Sequence, residues 1–165
     1  MFHLDADLAE PVRPLAWLVG RWEGAGVLGY PTIESAHFGQ EIEVTHDGRP
    51  FLKWESRAWI LDSATGERVR PAAVESGFWR PLPDGEVELL LVHPTGILEM
   101  YYGTVELAKI MLKTDSVMRS PRAKEYNAAT RMYGLVDSQL MWTMDMAAVG
   151  QELQSHLSAT LKRVG

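Results

Sequence analysis

Hydrophobic and polar positions along this chain alternate with a period of two rather than 3.6. Leu52, Trp54, Ser56, Ala58 and Ile60 alternate with Lys53, Glu55 and Arg57; Val87, Leu89 and Leu91 alternate with Glu86 and Glu88; Leu140, Trp142, Met144 and Met146 mark one face against Thr143 and Asp145. Such runs read as half-buried antiparallel strands, one face toward a core and the other toward water. Turn signals separate them: His46-Asp47-Gly48-Arg49-Pro50, Pro83-Asp84-Gly85, His93-Pro94-Thr95-Gly96 and Val136-Asp137-Ser138. Ten strands are predicted, near 20–28, 36–46, 51–61, 70–81, 85–93, 96–105, 107–116, 124–135, 139–148 and 156–164. A short helical turn near 12–19, with Pro14 close to its start, is the one helical element.

Ten consecutive antiparallel strands in an open sheet would leave two edges with unpaired backbone groups, and closure removes both. The predicted fold is therefore all-β: an up-and-down barrel of about ten strands, resembling the calycin and lipocalin architecture. Residues 1–11 read as an N-terminal tail and 12–165 as a single barrel domain. A barrel of this strand number is slightly wider than its own side chains fill, which suits a small ligand. The segment Gly20-Arg21-Trp22-Glu23-Gly24-Ala25-Gly26 fits its first strand. Glycines at alternate positions strip side chains from one face and admit a neighbouring backbone or a ligand, while Trp22, in step with them, supplies bulk.

Composition narrows the function. The net charge of −6, with scattered Lys and Arg, argues against nucleic acid as a partner. There is no cysteine, so disulfides, thiolate metal sites and cysteine nucleophiles are excluded, and a reducing cytoplasm is the expected location. No apolar run approaches the ~20 residues that span a bilayer as a helix, and the acidic N-terminus lacks signal-peptide order. The expectation is a soluble protein without a membrane partner.

Candidate chemistry is sparse. Of five histidines, His3 and His46 are expected to be solvated, and His93 either lines a cavity mouth or decorates a loop. No two histidines have the spacing of a two-ligand metal site on one element. His156 opens the last strand after Gly150-Gln151-Glu152-Leu153-Gln154-Ser155, and one neutral imidazole is what five-coordinate haem iron takes from a protein. Glu41 with Glu43, and Glu86 with Glu88, read as solvated exterior pairs. The methionines, including Met132, Met141, Met144 and Met146, read as adaptable core filler. No nucleophile elbow, P-loop or dinucleotide fingerprint is present.

Three segments taken together carry a family likeness: Gly20-x-Trp22-x-Gly24-x-Gly26 followed by Tyr30-Pro31-Thr32-Ile33; Gly48-Arg49-Pro50-Phe51-Leu52; and Ala147-Ala148-Val149-Gly150-Gln151-Glu152-Leu153-Gln154-Ser155-His156-Leu157. With the His93-Pro94-Thr95-Gly96 turn and Ala123-Lys124-Glu125, in the same order and at similar spacing, the chain resembles the nitrobindin family of haem-binding barrels. The resemblance implies a ten-stranded barrel holding haem b near one end. It implies His156 as the axial (proximal) iron ligand and, less specifically, Thr32 and Lys124 as haem contacts, with the other haem face rather open. It further implies an isomerase that converts peroxynitrite to nitrate at ferric haem and binds nitric oxide when ferrous, and it designates no residue beyond the iron-holding His156 as catalytic. A non-enzymatic carrier of an apolar ligand and a nitric oxide sensor or store remain alternatives, and a homodimer stays open.

The direction of His156 is the unresolved point at this level. It alternates with Ser158 and Thr160, whereas Leu157, Ala159 and Leu161 form the apolar set. His156 therefore points outward unless a bulge or a late strand start intervenes, because a one-residue slip reverses every side chain.

Overall fold

The alternating runs become strands because each can bury one face only by pairing on both edges and curling that face inward. A computed structural model describes residues 5–165. The strands are β1 (Gly20–Tyr30), β2 (Ile33–Thr45), β3 (Leu52–Leu61), β4 (Arg68–Pro81), β5 (Glu86–His93), β6 (Ile97–Glu106), β7 (Lys109–Arg119), β8 (Tyr126–Val136), β9 (Gln139–Ala148) and β10 (Gln154–Arg163). Each pairs antiparallel with its sequence neighbours, and β1 also pairs with β10 to close the barrel. Each of the four turn signals joins two strands as expected.

Closure depends on the first-strand glycines. Gly24 and Gly26 lie opposite Leu161 and Ala159 of β10. A Cβ on Gly24 would stand 2.1 Å from the Thr160 carbonyl oxygen, and one on Gly26 2.1 Å from that of Ser158. The strand can bend this tightly against β10 only without side chains there. Trp22, on the same face, is fully buried.

One end of the barrel is plugged by a 3-10 helix, Glu10–Leu18. It begins two residues before the predicted turn, because Pro11 as well as Pro14 suits the first turns and neither has an N–H to place. Val12, Leu15, Ala16, Trp17 and Leu18 are buried against the barrel floor. Arg163, at the end of β10, donates to the Trp17 carbonyl at 2.8 Å and also to that of Val19, satisfying carbonyls that the helix end leaves open. Its guanidinium covers the Trp22 ring at 4.1 Å.

Above the plug lies an aromatic layer. Trp54, Trp79 and Tyr133 meet edge to face with centroids 5.5–5.6 Å apart, and Trp142 stacks on Tyr133 at 5.2 Å.

Two expectations are corrected. His46 is not solvated: its side chain is only 8% exposed and its Nε2 lies 2.9 Å from an Asp5 carboxylate oxygen, so residues just before the plug fold back over the β2–β3 turn. Met132 and Met141 are not core filler, since they occupy outward positions of β8 and β9 and are 39% and 42% exposed. Met144 is buried as expected. His3 lies outside the described residues.

Candidate functional site

Inward side chains change character along each strand, and that change makes the site. On β3 they run Leu52, Trp54, Ser56, Ala58; on β4, read back from the plug, Trp79, Gly77, Glu75, Ala73. Bulk gives way to polar groups and then to small residues. A cavity of about 210 Å³ remains at the end away from the plug, walled by Leu28, Phe38, Ala58, Ile97, Met146 and Leu157 among others. His156 stands in its wall and also borders a wider depression at the rim, formed by β1, β2 and β10.

His156 reaches the cavity because β10 carries a bulge. Ser155 pairs with Asp145 and Leu157 with Met144, so His156 is the extra residue between two successive partners on β9. The bulge turns it to the same cavity as Leu157, while Ala159 and Leu161 keep their inward register. β10 starts at Gln154, earlier than predicted, so the bulge and not a late start sets the direction.

The ring is held in one chemical state. Nδ1 lies 3.1 Å from the Gly29 carbonyl oxygen, which can only accept, so Nδ1 carries the hydrogen. Burial lowers the imidazole's affinity for a second proton, outweighing the Gly29 bond. Nε2 therefore keeps its lone pair and has no hydrogen-bond partner among the described residues. Tyr30 buttresses the ring edge-on at 5.8 Å, and its hydroxyl donates to the Met146 carbonyl and accepts the Ala148 N–H, both at 3.0 Å. A ligand histidine whose other nitrogen is pinned to a backbone carbonyl is the usual way a protein orients imidazole toward a metal.

The floor of the cavity is a buried polar belt. Arg131 forms a two-pronged pair with Glu75, 2.8 Å on each arm, and donates further to the hydroxyls of Tyr133 and Tyr101. Glu99 accepts from His93 Nε2 at 2.5 Å, from the Tyr101 hydroxyl at 2.6 Å and from that of Tyr126. Burial raises the Glu99 pKa, but the His93 hydrogen bond, the Arg131 charge and the two tyrosines reverse this and hold it at about 2. Glu75 is likewise held ionised: burial opposes it and Arg131 prevails. Gln40 completes the belt, donating to Ser56 and accepting the Trp142 indole N–H, each at 2.9 Å.

Of the residues singled out from the sequence, His156 and His93 share this cavity. Thr32, in the β1–β2 turn, and Lys124, before β8, are both exposed and are not among its wall residues. Gly20, Trp22, Gly24 and Gly26 serve closure at the plugged end and the β1–β10 seam. Glu41 and Glu88 are on the outer face as expected, Glu41 bonded to Arg57 and Arg68 and Glu88 to Arg80. Sequence reasoning missed the belt. Its signal is charge in step with bulk: Glu75 shares its face with Trp79, Glu99 with Ile97 and Tyr101, and Arg131 with Ala129 and Tyr133.

The fold and site define a class: a closed ten-stranded barrel whose open end has a neutral, carbonyl-anchored imidazole in the wall of a cavity with apolar sides and a polar floor. Known proteins share the barrel. Residues 11–163 match the family model described as "THAP4-like, heme-binding beta-barrel domain", and the chain belongs to that family. It is 52% identical over 162 residues to a protein of Nocardioides sp. named "Peroxynitrite isomerase", with 98% of each chain covered. It is 46% identical to a "Ferric nitrobindin-like protein" of Kineococcus radiotolerans, over 98% of this chain and 97% of the other. The crystal structure of Rv2717c from M. tuberculosis superposes with a TM-score of 0.84 at 37% identity, covering 96% of this chain and 99% of that one. Among the described residues, no helix is long and apolar enough to cross a membrane.

Proposed function

We propose that this protein holds haem b through His156 and isomerises peroxynitrite to nitrate, with nitric oxide as a ligand of its ferrous form and the cytoplasm as its site of action. One observation carries the reading: His156 lines the cavity with its Nδ1 hydrogen fixed by Gly29, which leaves the Nε2 lone pair without a partner among the described residues. That donor suits haem iron, which takes one neutral imidazole from a protein and would then have room to bind a small ligand. The interior cavity alone, about 210 Å³, is smaller than the ~300–1,000 Å³ that encloses cofactor-sized ligands. A bound haem would be held by the cavity walls together with the rim depression that His156 also borders. Thr32 and Lys124, both exposed, are assigned as outer contacts of such a group.

When bound, haem supplies the iron centre at which the peroxo bond of the substrate is weakened. The chain does the rest. Gly29 and Tyr30 orient His156; Phe38, Met144 and Met146 exclude water; the belt below fixes the depth of the cavity.

The belt also speaks against an anionic-lipid carrier. Such a barrel needs an uncompensated cation for the carboxylate, and here Arg131 is taken up by Glu75. Stopped-flow mixing of the ferric protein with peroxynitrite tests the proposal. Faster decay with higher nitrate yield than the haem-free protein supports it, and identical traces refute it.

A further inference from the structure

A second histidine, His93, lines the same cavity as His156. His93 ends β5, where the Gly96 N–H closes the turn on the His93 carbonyl at 3.1 Å. Its Nε2 lies 2.5 Å from a Glu99 oxygen. An ionised carboxylate only accepts, so Nε2 carries the hydrogen and Nδ1 of the neutral ring keeps the lone pair. Nδ1 has no hydrogen-bond partner among the described residues, and a Glu75 oxygen stands 4.0 Å from it. Every charged group near the ring is accounted for: Glu75 on β4, Glu99 on β6 and Arg131 on β8 sum to one negative charge. Tyr101, Tyr126 and Tyr133 are kept protonated by burial, and His156 of β10 is neutral. A carboxylate behind an imidazole, with a free nitrogen in front, is the arrangement that stabilises the imidazolium formed on proton uptake.

We propose that the His93–Glu99 pair is the proton acceptor of the cavity, taking the proton from the neutral acid form of a small oxyacid that enters it. The O–H bond of the acid breaks, an N–H bond forms at His93 Nδ1, and the electron pair stays on the acid's oxygen. The ring later returns the proton to water through the open end. His93 is the group that touches the acid, and Glu99 is the positioning residue that fixes its tautomer. This rests on the reading of the cavity as the site of peroxynitrite isomerisation, whose substrate is the anion of a weak acid.

The test has two arms on the full chain. In the haem-free protein, nitrogen NMR of 15N-histidine above neutral pH should show His93 protonated at Nε2 and bare at Nδ1; the opposite tautomer overturns the proposal. In the haem-loaded ferric protein the probe is hydrogen cyanide, which must lose a proton to bind iron. His93→Gln, which can still bond Glu99, should slow its association by about tenfold or more, with the Soret band retained. Nitric oxide binding to the ferrous form moves no proton and should keep its rate. Equal cyanide rates in the two proteins, or equal slowing of both ligands, would overturn the assignment. If the wild-type protein shows no Soret band, the haem reading falls, and the NMR arm still decides the proposal.

Discussion

The two ends of this barrel are built from the same ten strands and behave as different materials. At the plugged end Trp22, Trp54, Trp79 and Tyr133 are fully buried, and the last three interlock edge to face. At the open end the same strands present Ala58, Ala72 and Ala73, with Met144 and Met146, and a cavity remains. Between them stands the belt of Glu75, Arg131, Glu99 and Gln40, whose polar atoms are paired across strands. Side-chain size, graded along the barrel axis, decides where the fold is a solid and where it is a container. Stability belongs to the first region and chemistry to the second, and the belt keeps the one from collapsing into the other.

That contrast can be broken most severely at the belt. Arg131→Met leaves Glu75 and Glu99 buried without their shared cation, and should cost about 3–5 kcal/mol in urea unfolding. A loss of under ~1 kcal/mol would show that the two carboxylates are reached by water. Truncating the plugged end comes next: Trp54→Ala should cost about 3–5 kcal/mol, because packed neighbours cannot close the void. The matched change at the open end, Met146→Ala, should cost no more than about 2 kcal/mol, since its side chain borders space already. Equal losses at the two positions would erase the distinction between the ends.

Acid sharpens the picture. Glu99 titrates at about 2 in the fold against an ordinary value of 4.5. Its contribution is therefore complete above pH 4.5 and is lost as pH falls from 4.5 toward 2, because the unfolded chain takes up the proton first. The amount is on the order of 3 kcal/mol. Glu99→Gln should flatten the stability curve in that window, measured by urea midpoints at successive pH values; an unchanged slope would remove Glu99 from the account. The seam is the remaining point of attack. Gly26→Ala places a methyl group 2.1 Å from the Ser158 carbonyl oxygen, backbone that can yield only by opening the β1–β10 pairing, and should cost about 3 kcal/mol or more, read as a lowered melting temperature.

How much of this could be read from the chain differs by region for physical reasons. The strands, the turns between them and closure followed from alternation, because one-sided burial writes a period of two. Gly24 and Gly26 were legible as a close approach, though not which strand approaches. The belt was not legible, because a charged residue at an inward position looks like an outward one until its partners are known, and Glu75 meets Arg131 56 residues away. The direction of His156 was not legible either. It depends on one unpaired residue between Ser155 and Leu157, a property of the pairing with β9 rather than of β10 alone.

The central claim is that His156 Nε2 is the donor to haem iron. The most direct measurement is the visible spectrum of ferric protein reconstituted with haem, wild type against His156→Ala. The account predicts a strong Soret band in the wild type, and in the variant a shifted, weakened band that free imidazole restores. A variant spectrum identical to the wild type, at equal haem content, would contradict it.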